Sequence, residues 1–139
     1  LDFYVIRYAE VLLSLAEAMI EKGGYPQAEV TGPINEVRAR VGMPAVEAVE
    51  GTNLNKEELR AIVRHERRVE LAFEDLRFAD LYRWGEFESA QKRMQKDQSF
   101  YGFGVVPRGN LRGAQDLVWP IPQGEIDTNP MLEQHSEWK

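Results

Sequence analysis

The sequence of 139 residues contains no cysteine and only two histidines, His65 and His135. The absence of cysteine excludes disulfide scaffolds, thiolate metal sites and cysteine nucleophiles. His65-Glu66 begins like the zinc-protease motif H-E-x-x-H, but residue 69 is valine. The Glu-x-x-His pattern of di-iron bundles is also missing, because the residue three before His65 is isoleucine. We therefore predict no metal site and no cofactor.

Long hydrophobic runs and a basic surplus are absent as well. The longest apolar stretch, from Val11 to Ile20, is interrupted by Ser14 and Glu17, which excludes a membrane-spanning helix in this sequence. The formal net charge is -6, and the basic residues are interleaved with acidic ones. Because nucleic-acid binding needs a basic surface that displaces counterions from phosphate, we do not expect a nucleic-acid partner.

What the sequence does contain is the composition of one globular domain, with 43% hydrophobic and 29% charged residues. We predict an all-α fold with a helical part over 3–98, a long irregular loop-rich part over 99–139, and little or no sheet. The chain begins at Leu1 without a methionine and enters helical periodicity at once. We therefore expect 1–139 to be a single-domain fragment of a longer protein.

Two helices are predicted in the first third of the chain. Apolar residues recur at spacings of three and four over 3–22, and Gly23-Gly24 provides a left-handed C-cap. The second helix is predicted only over 33–41, because Gly32-Pro33 breaks the pattern. Thr31 is a possible N-cap for that shorter helix.

A third helix is predicted after 43–54, a stretch without a strong pattern. Asn55, with Glu58 three residues later, forms a capping box ahead of an apolar stripe that reaches Phe73. Glu66 and Glu70 complete the spacing of that stripe and fall near the middle of its apolar arc. Buried carboxylates are costly unless they are paired, so these two residues are the most informative anomaly in the sequence.

Two interpretations of Glu66 and Glu70 stay open. One is a structural network of buried ion pairs, since arginine is the usual partner of internal carboxylates. Available arginines lie nearby, at Arg64, Arg67, Arg68, Arg77 and Arg83, and on the earlier helices, at Arg7 and Arg38. Of these, Arg67, Arg77 and Arg7 are the expected partners. The expected members of the network are Glu66, Arg67, Glu70, Arg77, Asp80 and Arg83. The other interpretation is a pair of acid/base carboxylates in a glycan-active enzyme. Catalytic carboxylates usually face each other from different elements, so we favour the network and expect no catalytic residue.

Two more helical segments are predicted, over 75–84 and 86–96, before the composition changes. The stretch 99–115 contains four glycines, a proline and three aromatic residues, which is typical of a loop. Exposed aromatics on loops often mark contacts with a ligand or partner, since their faces suit sugar rings and peptides equally. The candidate contact residues are Phe100, Tyr101, Phe103 and Arg108. Alternatively, the three aromatics pack as a small cluster under the loop.

Two tryptophans are predicted to be core or interface anchors rather than platforms for a sugar. Trp84 closes an amphipathic segment. Trp119 lies on a short extended stretch that Pro120 fixes.

Four segments follow, in order and over nearly the whole chain, the motifs of one family. They are RYAEVLLSLAEA from Arg7, INEVRARVG from Ile34, ERRVELAFEDLRFADLYRWG from Glu66 and WPIPQGEIDTNP from Trp119. The chain thereby resembles the SusD/RagB group of surface lipoproteins in Bacteroidetes-type bacteria. Asp75 stands where the family usually has glycine; aspartate tolerates a left-handed backbone, so the turn is expected to survive.

The resemblance implies a scaffold of tetratricopeptide-like helical hairpins, of which this chain is the C-terminal portion. It also implies a non-catalytic subunit that binds a nutrient, such as an oligosaccharide or glycan. Such a subunit sits on a TonB-dependent, SusC-like transporter at the bacterial outer membrane, on the cell surface. Membrane association is then expected only through a lipid anchor outside this fragment.

Within that family, this fragment is expected to supply mainly scaffold and partner surface. Two other classes stay open. One is a helical-repeat module for protein–protein interaction without a small-molecule ligand. The other is the glycan-active enzyme that would use Glu66 and Glu70.

Overall fold

The computed structural model describes residues 5–96, 115 and 117–139. Its helices are α1 (Tyr8–Lys22), α2 (Gln27–Arg40), α3 (Val46–Glu50), α4 (Lys56–Glu70), α5 (Leu76–Arg83), α6 (Phe87–Lys96) and α7 (Gln123–Thr128), followed by a short 3-10 turn at Ser136–Trp138. The described residues form helices and no β-strand, which confirms the predicted all-α class. None of the helices in those ranges is long and apolar enough to cross a membrane.

The chain divides into two compact units, Leu1–Arg77 and Phe78–Lys139. In the first unit, α1 and α2 are joined by a short turn and pack as an antiparallel hairpin. Helix α4 packs on α1 in the opposite direction, because Arg60 near its start contacts Glu21 near the end of α1. The shared core consists of Leu12, Leu13, Ala16, Ile20, Val30, Ile34, Val37, Val46, Leu59 and Val63. The interpretation of 1–139 as one domain stays a prediction.

The structure contains the helix-capping features that the sequence predicts. Gly23 ends α1 with φ 72°, and its N–H donates to the carbonyl of Met19 at 2.9 Å. The capping box at α4 is present, because the Asn55 side chain accepts from two backbone N–H groups and Glu58 accepts from the Asn55 N–H. Asp75 has φ 60°, which confirms the left-handed turn expected where the family usually has glycine.

Helix α2 corrects the predicted break at Gly32-Pro33. The helix begins at Gln27 and runs through Pro33, so Thr31 is not an N-cap. Its hydroxyl oxygen instead lies inside the helix, 2.9 Å from the carbonyl oxygen of Gln27. A proline inside a helix removes one hydrogen bond and costs about 3 kcal/mol. The burial of apolar neighbours on the same helix face offsets that cost; these neighbours are Val30, Ile34 and Val37.

One other helix boundary and two short helices differ from the sequence prediction. Helix α1 begins at Tyr8 and not near residue 3, because Arg7 is extended and occupies the N-cap position, while Val5 and Ile6 before it are exposed. Helix α3 lies in the stretch that had no strong pattern, and α7 lies in the part predicted to be loop-rich. Both are only five or six residues long, too short for helical periodicity to register in the sequence.

Candidate functional site

Arg38 on α2 and Glu66 on α4 form a buried ion pair. The Nε and Nη2 atoms of Arg38 donate to the same oxygen of Glu66, at 3.0 and 2.7 Å. Each side chain is only 8% exposed. A third hydrogen bond runs from Arg38 to the carbonyl of Pro44 at 3.4 Å, in the loop after α2. The carboxylate that the sequence marked as anomalous therefore joins α4 to α2 through Arg38, an available arginine of an earlier helix but not one of the three expected partners.

Glu70 lies one turn further along α4 and accepts from two arginines. Arg7 donates at 2.6 Å and Arg40 at 2.9 and 3.0 Å. Arg7 also donates to the backbone carbonyl of Glu70 and to both oxygens of Glu74, at 3.0 and 2.7 Å. These contacts raise the pKa of Arg7, with the Glu74 hydrogen bond as the largest cause. The arrangement ties the residue before α1 and the end of α2 to the end of α4.

Two further arginines connect α4 to α1. Arg67 is buried, donates to the hydroxyl of Ser14 at 3.0 Å and lies 3.9 Å from a carboxylate oxygen of Glu17. Near the other end, Arg60 donates to both oxygens of Glu21 at 2.6 and 2.8 Å. That pair lowers the pKa of Glu21 to about 2, because the hydrogen bonds favour the charged carboxylate.

Glu47 on α3 is a further carboxylate, which the sequence reasoning missed. It accepts from the Thr31 hydroxyl and, at 2.8 Å, from the Asn35 amide. These bonds lower its pKa, with the Thr31 hydrogen bond as the largest cause. The Asn35 carbonyl oxygen in turn accepts from the Val46 N–H at 2.8 Å, which holds the start of α3 against α2. No sequence signal could have found this contact, because α3 itself has no detectable periodicity.

The remaining predicted network members are Arg77, in the first unit, and Asp80 and Arg83, in the second. Asp80 is 4% exposed and accepts from Arg83, three residues later, at 3.0 and 2.8 Å. Arg83 also lies over the ring of Trp84, 4.9 Å from its centroid. Arg77 is half-buried on α5.

The four candidate contact residues Phe100, Tyr101, Phe103 and Arg108 lie outside the described residues. Within 5–96, 115 and 117–139, no group of three His, Asp or Glu side chains comes together as metal ligands would. Arginine donors engage both carboxylates that a glycan-active enzyme would use, Glu66 and Glu70. The described carboxylates thus form salt bridges that connect helices.

Comparisons with known proteins give one consistent answer. The chain matches the model of the SusD family over residues 1–138. It is 32% identical to SusD-like protein P2 of Formosa agariphila over 135 residues, which cover 94% of this chain and 25% of that protein. It is 30% identical to SusD-like protein P38 of the same organism over 142 residues, which cover 96% of this chain and 24% of that protein.

The fold is also similar to a solved structure. A crystal structure of a SusD-like protein from Bacteroides fragilis has a TM-score of 0.69 and 28% sequence identity to this chain. The match covers 96% of this chain and 25% of that one. The chain therefore spans about a quarter of the length of the relatives it matches.

Proposed function

We propose, because the chain belongs to the SusD family, that it is part of a longer nutrient-binding protein without catalytic activity. The ligand class is an oligosaccharide or glycan, and the partner is a TonB-dependent, SusC-like transporter. The protein works at the bacterial outer membrane, on the cell surface. The family match over residues 1–138 is the observation that carries the proposal.

Within that protein, this chain contributes mainly scaffold and partner surface. Support comes from the first unit, where helices α1 to α4 share one apolar core and arginines that reach Glu66 and Glu70 cross-link its segments. Such bonds fix the relative positions of helices, which is what a scaffold must do to present a binding surface reproducibly. The predicted ion-pair network is thus proposed as structural.

The enzyme alternative requires a free carboxylate as general acid or base. The buried Arg38–Glu66 pair and the two arginines on Glu70 favour the structural role of these carboxylates over a catalytic one. A hydrolysis assay of the parent protein on mixed glycans tests this. Product formation that Glu70→Gln abolishes, with helicity retained, would reverse the assignment.

The binding role is tested on the parent protein with its neighbouring transporter. Co-expression followed by affinity purification should recover the two as a complex in the outer-membrane fraction. Calorimetry with a panel of oligosaccharides should give saturable binding for at least one. Recovery of the complex without any sugar binding would favour the protein-interaction module, and failure of both would reject the proposal.

Phe100, Tyr101, Phe103 and Arg108, in the stretch that the sequence predicts to be a loop, are proposed as ligand or transporter contacts. Replacing the three aromatics by serine in the parent protein should weaken binding of the sugar or the transporter, while helicity and melting stay nearly intact. An unfolded triple variant, or one that binds normally, would favour the alternative in which the three aromatics are structural.

A further inference from the structure

Polar side chains on one face of α2 hold the segment that connects α2 to α4. Successive members of this set lie four, four and three residues apart, which places them on the same face of the helix. They are Gln27, Thr31, Asn35 and Arg38. Each forms a hydrogen bond with the connecting segment, which contains α3. The connection is therefore docked on α2 by side chains of α2.

Two glycines divide the connecting segment. Gly42 follows the end of α2 with φ 73°, and Gly51 ends α3 with φ 93°. Glycine adopts such backbone angles at little steric cost, so these two positions can absorb a change in chain direction. We call the residues between them, 43–50, the α3 strap.

Gln27 fixes the chain beyond the second glycine. Its side-chain amide donates to the carbonyl of Gly51 at 2.8 Å and accepts from the Leu54 N–H at 2.9 Å. The capping box at Asn55 begins α4 directly afterwards. Any separate movement of the connection must therefore lie before Gly51, within the α3 strap.

The strap itself is held to α2 mainly through two neighbouring residues. The Val46 N–H donates to the side-chain oxygen of Asn35 at 2.8 Å. The Glu47 carboxylate accepts from the Thr31 hydroxyl through one oxygen and from the Asn35 amide through the other. Hydrogen bonds to a charged group are about twice as strong as neutral ones, so Glu47 is the strongest polar attachment of the strap.

Apolar packing and local helix formation contribute little to holding the strap. Val46 is fully buried, and it is the one member of the shared core that the strap supplies; α1, α2 and α4 supply the other members among the described residues. Helix α3 has five residues, far fewer than an isolated helix needs to be stable in water. Segments with few buried apolar contacts open at a lower free energy than the core.

We infer that the α3 strap opens and closes as one unit while α1, α2 and α4 stay folded, with Gly42 and Gly51 as hinges and Glu47 as the residue that holds it closed. Opening withdraws Val46 from the core and leaves the rest of the core in place. The inference concerns the conformation of the first unit and does not depend on the binding of a sugar or a transporter.

The first test uses the absence of cysteine from this chain. Val46→Cys and Val63→Cys each introduce one thiol into this part of the parent protein, at positions that are fully buried in the strap and in α4. Alkylation with iodoacetamide, followed by mass spectrometry of the peptide that carries the thiol, reports opening. We expect Val46→Cys to react at least about tenfold faster than Val63→Cys. Equal rates would overturn the inference, because both thiols would then become accessible through one common unfolding event.

The second test removes the residue that holds the strap closed. Glu47→Ala should speed alkylation of Val46→Cys by about tenfold or more, because hydrogen bonds to a charged group are lost, and should leave that of Val63→Cys unchanged. Glu50→Ala, at an exposed position of the same short helix, is the matched control and should change neither rate. An unchanged rate in Glu47→Ala, or equal acceleration at both thiols, would overturn the inference.

A third measurement needs no substitution. In hydrogen–deuterium exchange of the wild-type parent protein, a peptide that covers 43–50 should exchange before peptides from α1 and α4. Simultaneous exchange of all three would overturn the inference. Because none of these readouts involves sugar or transporter binding, the inference can fail while the proposed function holds, and the reverse.

Discussion

Arg38 and Glu66 are buried partners 28 residues apart in sequence, and both of the closest donor atoms of Arg38 meet one carboxylate oxygen of Glu66. Neither side chain exceeds 8% exposure. Removing one member of such a pair leaves the other charge buried without compensation, which costs more than removing both. Substitutions in this pair should therefore change the free energy of unfolding more than substitutions in an exposed ion pair.

Truncation of one partner is the first prediction. Glu66→Ala in the parent protein should lower the free energy of unfolding by about 3–5 kcal/mol, because Arg38 loses its counter-charge in the core. The matched control is the double variant Arg38→Met with Glu66→Leu, which should recover most of that loss. Urea unfolding followed by circular dichroism measures both. A double variant as unstable as Glu66→Ala would show that the charges themselves hold the helices in place.

The two arginines on Glu70 should differ in importance. Arg40 is 60% exposed at its side chain, whereas Arg7 is 24% exposed and also holds Glu74 and a backbone carbonyl. Arg40→Ala is expected to cost about 0–1 kcal/mol, as exposed ion pairs do. Arg7→Ala should cost clearly more. Thermal melting of the two variants in the same buffer ranks them, and equal losses would contradict the ranking.

Gly23 and Gly32 should respond differently to alanine. A Cβ built on either glycine meets no heavy atom within 4 Å outside its two chain neighbours. Gly23 has φ 72°, so Gly23→Ala should lower the free energy of unfolding by about 1 kcal/mol. Gly32→Ala is the matched control inside α2: alanine is the better helix former, but a Cβ directly before Pro33 disfavours the helical backbone, so little net change is expected. Urea midpoints that fall equally in the two variants would contradict this.

The pair of Glu21 and Arg60 predicts a pH dependence. The hydrogen bonds lower the pKa of Glu21 from 4.5 to about 2, so its stabilising effect is present above pH 4.5 and is lost as the pH falls towards 2. The Glu21 side chain is 44% exposed, which limits the effect to that of a surface pair, about 0.2–1 kcal/mol.

An NMR titration of the Glu21 carboxyl checks this directly. The midpoint should lie below 4.5 in the wild type and rise towards 4.5 in Arg60→Ala. The matched control in unfolding experiments is Glu21→Gln. Its free energy of unfolding should fall less steeply than that of the wild type over the same acid range. A wild-type midpoint near 4.5 would show that the pair does not hold in solution.

Local chemistry in the sequence determined the helical class and several helix ends. The Gly23 cap, the Asn55–Glu58 capping box and the left-handed Asp75 each depend on residues within a few positions of one another. Periodicity alone also marked Glu66 as a carboxylate that had to be paired. These features could be predicted because the interactions that produce them are complete within one or two helical turns.

Tertiary structure decided which arginine meets Glu66, and it decided that α2 continues through Pro33. The first choice depends on the packing of α2 beside α4, which brings Arg38 to the carboxylate while Arg67, one residue from it in sequence, reaches Ser14 on α1. The second depends on burying one face of α2 in the shared core. Both outcomes are set by contacts between residues far apart in the chain, whose free energy exceeds the local preferences that a sequence pattern can display.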